Sequence, residues 1–249
     1  MKGYKIEYEC YTEKGYDCQV FDFEGRESIV VFPKNKTDDK KRWALKTEYF
    51  NAFPYLEYEL LEKGFHIAFI TNDSRWGTRE ELDIQIRFAD YIIKEYGLNE
   101  QFLPIGMSCG GIFAIKLASI YENRCPMIYI DAPVLNLLSL AGFGEYKDVH
   151  GFLPEMLGAL NISQSELISF RDNPLDHLKN IISKKIPTVL VYGALDSIVS
   201  PRENAQIIEK AFKKTDIPFL CIVKPDCDHH PHSLEDCSQV VDFILKYYN

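Results

Sequence analysis

Gly106-Met107-Ser108-Cys109-Gly110-Gly111 is the segment of this chain best suited to covalent chemistry. It has the form G-x-S-x-G and lies between an apolar run, Phe102 to Ile105, and a helix-like stretch, Gly111 to Tyr121. A serine at such a junction must turn from strand to helix within a few residues. That turn strains its backbone and presents its hydroxyl at a helix N-terminus. Glycines flank it because side chains there would collide with the neighbouring strand and helix. The backbone N–H of Cys109 then faces the place where an oxyanion develops. Cys109 itself stands off the centre of the turn and reads as a buried structural thiol, not a nucleophile. A serine hydroxyl at its ordinary pKa is a poor nucleophile, so a base and an orienting carboxylate are required.

Three of the six histidines, His229, His230 and His232, fall within four positions after the apolar run Phe219 to Val223. Two carboxylates are placed to orient such a base. Asp196 follows the run Thr188 to Tyr192 and the turn Gly193-Ala194-Leu195, and Asp131 follows Met127 to Ile130. Each also fits an ordinary role, Asp196 as a turn residue and Asp131 as the start of the segment after it. Cys227, Asp228 and the three histidines are all metal-ligand types. No HExxH, no second Cys/His cluster and no zinc spacing accompany them, so metal is the weaker reading and neither metal nor cofactor is assigned.

Alternating patterns supply the elements that hold these residues. Tyr4 to Tyr11 and Asp17 to Phe23 alternate around Gly15 and predict a hairpin, while Ser28 to Phe32 reads as a buried strand ended by Pro33. Phe65 to Ile70 is a further strand. Thr78 to Glu81 is a capping box opening a helix that Gly97 stops, and Ser200 to Glu203 is a second one, with proline at the first helical position. Val240 to Tyr248 closes the chain as a helix. Strands alternating with helices predict an α/β fold with a mostly parallel sheet covered on both faces. Residues 133–185 break the alternation with helical segments at Gly151 to Leu160 and Ser163 to Arg171, and are expected to form a helical lid within a single domain spanning 1–249.

Over its whole length the chain resembles the α/β-hydrolases. The elbow carries the resemblance, and the Asp196 and His229 segments support it by order and spacing. That resemblance implies the chain order serine, acid, histidine, and hence a triad Ser108, Asp196, His229. His229 is preferred to His230 by likeness to the family's G-x-G-H segment, although Asp226 and Asp228 stand where glycines are usual. Asp196 is preferred to Asp131, an acid position used by some members. The family's second oxyanion donor comes from the loop after the strand Ser28 to Phe32. Its usual His-Gly start is absent and Lys34 to Leu45 replaces it, which points to Trp43 or Ala44 beside the Cys109 amide. Met107 and Trp76 are the expected substrate-facing residues, with Phe143 and Phe152 of the lid as further aromatic candidates. Asp131-Ala132-Pro133 and His229 to Leu234 are similar to stretches of bacterial esterase-like hydrolases, some of the carbohydrate or acetyl-ester type. The implied activity is hydrolysis of a small-molecule carboxylic ester through an acyl-enzyme on Ser108. A serine peptidase or amidase of the same fold is the alternative, and a non-catalytic ligand-binding relative is the reading from another class.

Composition agrees with such a protein. Of 249 residues, 46% are hydrophobic and 26% charged, enough to bury a sizeable core. The net charge of −9 argues against nucleic-acid or anionic-membrane partners, since phosphate contacts need clustered positive charge. No run of about 18 apolar residues predicts a membrane span. An odd count of seven scattered cysteines without a CxxC pair suits a reducing compartment, and Met1 to Glu7 lacks a secretory h-region, so a cytoplasmic location is expected.

Overall fold

Eight strands form one sheet in the computed structural model, which describes residues 5–121, 123–148 and 150–248. Strands β1 (Cys18–Phe23), β2 (Arg26–Val31), β3 (Trp43–Lys46), β4 (His66–Ile70), β5 (Leu103–Met107), β6 (Ile128–Asp131), β7 (Thr188–Gly193) and β8 (Phe219–Lys224) lie in the order β1-β2-β4-β3-β5-β6-β7-β8. The pairs β1–β2 and β2–β4 are antiparallel and every pair beyond them is parallel. This is the α/β-hydrolase arrangement, with an antiparallel hairpin leading a parallel sheet.

The hairpin lies one strand later than the alternation suggested. Glu24 and Gly25, with φ of 52° and 82°, make the two-residue turn between β1 and β2, whose twist matches that of the strands. Upstream, Glu9–Thr12 is a helical turn, α1, and Tyr4 of the expected strand lies outside the described residues. Tyr11 is fully buried and stacks on Phe50 at 5.0 Å, so this segment satisfies its apolar residues under the sheet instead of across a strand pair.

Side chains alternate across the strands into two cores. On one face, Val30, Leu45, Ala68, Ile70, Ile130 and Leu190 pack with α3 (Arg79–Tyr96), α4 (Gly110–Ile120) and α8 (Ala205–Phe212). On the other, Ile29, Ala44, Ile67, Ile105, Tyr129 and Val191 pack with α2 (Tyr55–Glu62) and α9 (Ser238–Tyr247). The α3 cap is as expected at both ends: the Thr78 hydroxyl accepts from the Glu81 amide, and Gly97 closes the helix at φ 62°. The second expected cap is different. Pro201–Glu203 is only a tight turn, the Ser200 hydroxyl donates to Glu145, and α8 begins at Ala205. Asn204 turns away from the helix to accept the Leu135 and Asn136 amides at 2.8 Å each, tying down the segment that follows β6.

Between β6 and β7 the chain forms α5 (Phe152–Leu160), α6 (Gln164–Ser169) and α7 (Leu178–Ser183), with α6 opened by a full capping box of Ser163 and Glu166. The turn Pro174–His177 and α7 pack on α4 and extend the helical layer, whereas α5 stands at the cavity described below.

Strand β3 was hidden in the sequence because its four residues follow a charged loop and end in a lysine. Lys46 is wholly buried and paired with the equally buried Glu57 of α2, and its ammonium also donates to the Ala52 carbonyl at 3.3 Å. Glu57→Ala leaves that ammonium without a counter-charge and is expected to lower stability by about 3–5 kcal/mol. The urea midpoint measures it, and pairing Lys46→Met with Glu57→Leu is expected to recover most of the loss.

Candidate active site

Ser108 sits between β5 and α4 with φ 48°, a left-handed conformation that a serine adopts only when its surroundings impose it. Its amide donates to the Asp131 carbonyl at 3.0 Å and its carbonyl accepts from Val134 at 2.9 Å, which pins the turn to the end of β6. Gly106 makes the turn possible: a Cβ there would stand 2.5 Å from the Gly110 carbonyl oxygen. The strain is thus held by the sheet on one side and the buried helix on the other.

His229 lies on the loop after β8, with Nε2 3.1 Å from the Ser108 hydroxyl and Nδ1 2.7 Å from Asp196 Oδ2. Asp196 is 1% exposed, and its second oxygen accepts the Ile198 and Val199 amides at 2.9 and 2.8 Å. The acid loop and the histidine loop are clamped together. Asp228 accepts the amides of both Ser197 and His229 at 2.7 Å, and those backbone donors, with the Ser197 hydroxyl, hold its carboxyl below the usual range. Gly193 permits the approach, since a Cβ there would meet the Asp228 carbonyl oxygen at 2.3 Å. In the sequence Asp228 is visible only as a departure from a glycine. Its bonds show why an aspartate stands there.

Asp131 faces a different imidazole. It is fully buried, accepts the Ser233 amide, and places Oδ1 3.5 Å from His232 Nδ1. Of the two carboxylates weighed from sequence, Asp196 is therefore the one bonded to His229. Partial desolvation of its ring and the neighbouring imidazoles push His230 below its ordinary range.

The Ser108 hydroxyl opens into a cavity of about 260 Å³ whose walls are mainly apolar, among them Phe53, Met107, Leu140, Phe152 and Ile198. Met107 lines it. Trp76 does not: it is fully buried behind the wall, its ring edge-on to Phe152 and its N–H donating to Glu155 at 3.1 Å. The neighbouring Arg75 lines the cavity instead and forms a two-pronged ion pair with Glu155 of α5. Phe143, 43% exposed, is not among the lining residues, whereas Phe152 is.

Trp43 and Ala44 do not reach the site. Both are buried within β3, paired with β4 and, at Ala44, with β5. The register explains the misplacement: Lys46, the last residue of β3, pairs with Ile105, so the chain reaches the level of the elbow only in the loop beyond Lys46. Tyr49 has φ 54° and lines the cavity beside Cys109. Trp43 and Ala44 are thus the beginning of β3, and the loop that lines the cavity follows its end. Glu48, in the same loop, accepts from Asn72 at 2.6 Å and is pushed up to about 7 by burial. Cys109 directly follows Ser108, and burial raises its thiol to about 11, which keeps it protonated and unreactive.

Sheet order, strained elbow and hydrogen-bonded serine, histidine and aspartate define a serine hydrolase of the α/β-hydrolase fold. More narrowly, residues 67–249 match the prolyl oligopeptidase family, and the chain belongs to it. No curated protein matches the chain. Among solved structures it is similar to an acylaminoacyl peptidase from Pyrococcus horikoshii, with a TM-score of 0.68 at 15% identity over 90% of this chain and 40% of that one. It is also similar to a puromycin hydrolase, with a TM-score of 0.65 at 15% identity over 94% and 38%. A third similar structure is the S-formylglutathione hydrolase FrmB of Staphylococcus aureus, with a TM-score of 0.62 at 15% identity over 87% and 92%. The chain thus spans about two fifths of the first two and nearly all of the third. At these identities the likeness is one of fold. Among the described residues no helix is long and apolar enough to cross a membrane.

Proposed function

We propose that this protein hydrolyses small carboxylic esters, acetyl or similarly short acyl esters of a small alcohol or sugar, through an acyl-enzyme on Ser108. The observation that carries the reading is the chain of contacts from a strained serine to His229 at 3.1 Å and on to buried Asp196 at 2.7 Å. Ser108 attacks the carbonyl carbon while His229 Nε2 takes its proton, and Asp196 stabilises the imidazolium. The tetrahedral oxyanion takes the Cys109 amide as one donor, aided by the N-terminus of α4, and the Tyr49 segment as the other. His229 then protonates the leaving alcohol, and water, deprotonated by the same imidazole, releases the acid. The short acyl group is supported by a cavity of about 260 Å³, below the range of about 300–1,000 Å³ that holds drug-sized ligands. Residues 133–185 serve as the lid in this reading, with α5 latched to Arg75. Seven unpaired cysteines favour the cytoplasm, where thiols stay reduced.

The test is a series of p-nitrophenyl esters from acetate to octanoate, run beside an acetylated sugar and peptide p-nitroanilides. Acetate to butyrate are expected to turn over fastest, with octanoate about tenfold slower in kcat/KM. Family membership and the peptidases of like fold favour the second reading, amide hydrolysis by the same serine. Faster cleavage of the anilides than of every ester establishes that reading over the first.

A further inference from the structure

His229, His230 and His232 surround one point at the cavity wall. Their ring centroids are 4.9, 4.8 and 4.9 Å apart, and the three planes stand at 69°, 80° and 86° to one another. One ring nitrogen from each lies within 4.8 Å of the other two. Three imidazoles on a single tetrahedral Zn2+ have ring centres about 5 Å apart and bonded nitrogens about 3.4 Å apart, from Zn–N bonds of about 2.1 Å. The ring centres already have that spacing. Modest rotation of the rings would bring the nitrogens together, and His230, stacked on Phe53 at 5.8 Å, is the one of the three that is exposed.

The surroundings of two of the rings favour the same conclusion. His229 and His232 each present Nδ1 to a buried carboxylate, Asp196 at 2.7 Å and Asp131 at 3.5 Å. Each therefore keeps Nε2 on the side away from its carboxylate. A carboxylate behind an imidazole fixes its tautomer and makes the outer nitrogen more basic, which is the usual support of a metal-binding histidine. Two buried carboxylates also balance a divalent charge that an apolar pocket would otherwise oppose. Asp131 Oδ1 and His232 Nδ1 are both buried without a hydrogen bond, and a small shift of the His232 ring toward Asp131 would join them.

We propose that these three histidines form a site for a borderline-soft divalent cation of the Zn2+ type, with the Ser108 hydroxyl or a water as fourth ligand, and that filling it shuts off hydrolysis. The inhibitory half rests on the reading of His229 as the base: a lone pair bound to the metal cannot accept the serine proton. The binding half does not depend on it.

Zn2+ binding to the full chain, measured by competition with a chromophoric chelator, tests the binding half directly. One ion per chain is expected, with affinity at least tenfold weaker in His230→Ala. His230 is the variant of choice because it is exposed, whereas His232 faces buried Asp131. In parallel, Zn2+ is expected to stop p-nitrophenyl acetate hydrolysis at the concentration where it binds, with EDTA restoring the rate. Unchanged affinity in His230→Ala overturns the proposal, as does loss of binding in Cys227→Ser alone, which would make the thiol beside the His230 carbonyl the ligand. A wild type that cleaves no ester yet binds one ion in a His230-dependent manner supports the site and sinks the esterase reading instead.

Discussion

Ser108→Ala is expected to lower kcat by about 10⁶-fold, the loss seen when a serine of this kind is removed with its surroundings intact. Ser108→Gly should be equally inactive but more stable than the alanine variant. At φ 48° a residue with a Cβ costs about 1–2 kcal/mol, which glycine does not suffer. Glycine gives back about 0.5–1 kcal/mol through the greater freedom of its unfolded chain. The expected gain over alanine is therefore about 0.5–1 kcal/mol, read as a higher urea midpoint. The pair separates two statements about one residue, that its hydroxyl reacts and that its backbone is strained. Retention of a tenth of wild-type activity by Ser108→Ala would remove the serine from the mechanism. A glycine variant less stable than the alanine one would show that the backbone is at ease there.

A second set of the same residue types shows what made the site legible. Ser119, His177 and Asp172 also form a hydrogen-bonded chain, with 2.9 Å from the Ser119 hydroxyl to His177 Nδ1 and 2.7 Å from Nε2 to Asp172. They even occur in the order serine, acid, histidine. Yet Ser119 lies inside helix α4, without the left-handed turn that exposes a nucleophile, and its hydroxyl already accepts from Asn180 at 3.2 Å. Residue types and order alone would not have told the two apart. The glycines at the strand-to-helix junction did, because they are required by backbone geometry and can be read locally.

What the sequence left hidden depends on pairings between distant segments. Strand β3 is four residues long and ends in a lysine whose partner, Glu57, lies eleven positions on, so its charge masked a buried strand. Missing it set the expected second oxyanion donor at Trp43 and Ala44, inside the sheet, and passed over Tyr49, which lines the cavity. Likewise Trp76 and Arg75 are neighbours in sequence and both bond to Glu155 of α5, yet only Arg75 lines the cavity. The strands β4 to β7 were readable because burial on both faces makes them largely apolar runs.

Asp196→Asn is expected to lower kcat by about 10⁴-fold while leaving the protein folded, for a reason contained in the bonds around that carboxylate. One oxygen of Asp196 accepts two backbone amides, from Ile198 and Val199, and the other faces His229 Nδ1. An asparagine has a single oxygen. Turned toward the two amides, it satisfies both and points its NH2 at His229. Turned the other way, it sets NH2 against two N–H donors in a buried place, at a penalty of about 1–3 kcal/mol. The first orientation therefore prevails. A donor at Nδ1 forces the proton of neutral His229 onto Nε2, and that N–H then faces the Ser108 hydroxyl. Such an imidazole has no lone pair with which to accept the serine proton, so the fold survives and the chemistry stops. Asp131→Asn is the comparison, because Asp131 faces His232 and its substitution leaves the His229 tautomer alone; its effect on kcat is expected to stay within about tenfold. Measuring kcat for both variants with p-nitrophenyl acetate decides which carboxylate orients the base. Equal losses, or a larger loss at Asp131, would move the acid from the β7 loop to the end of β6.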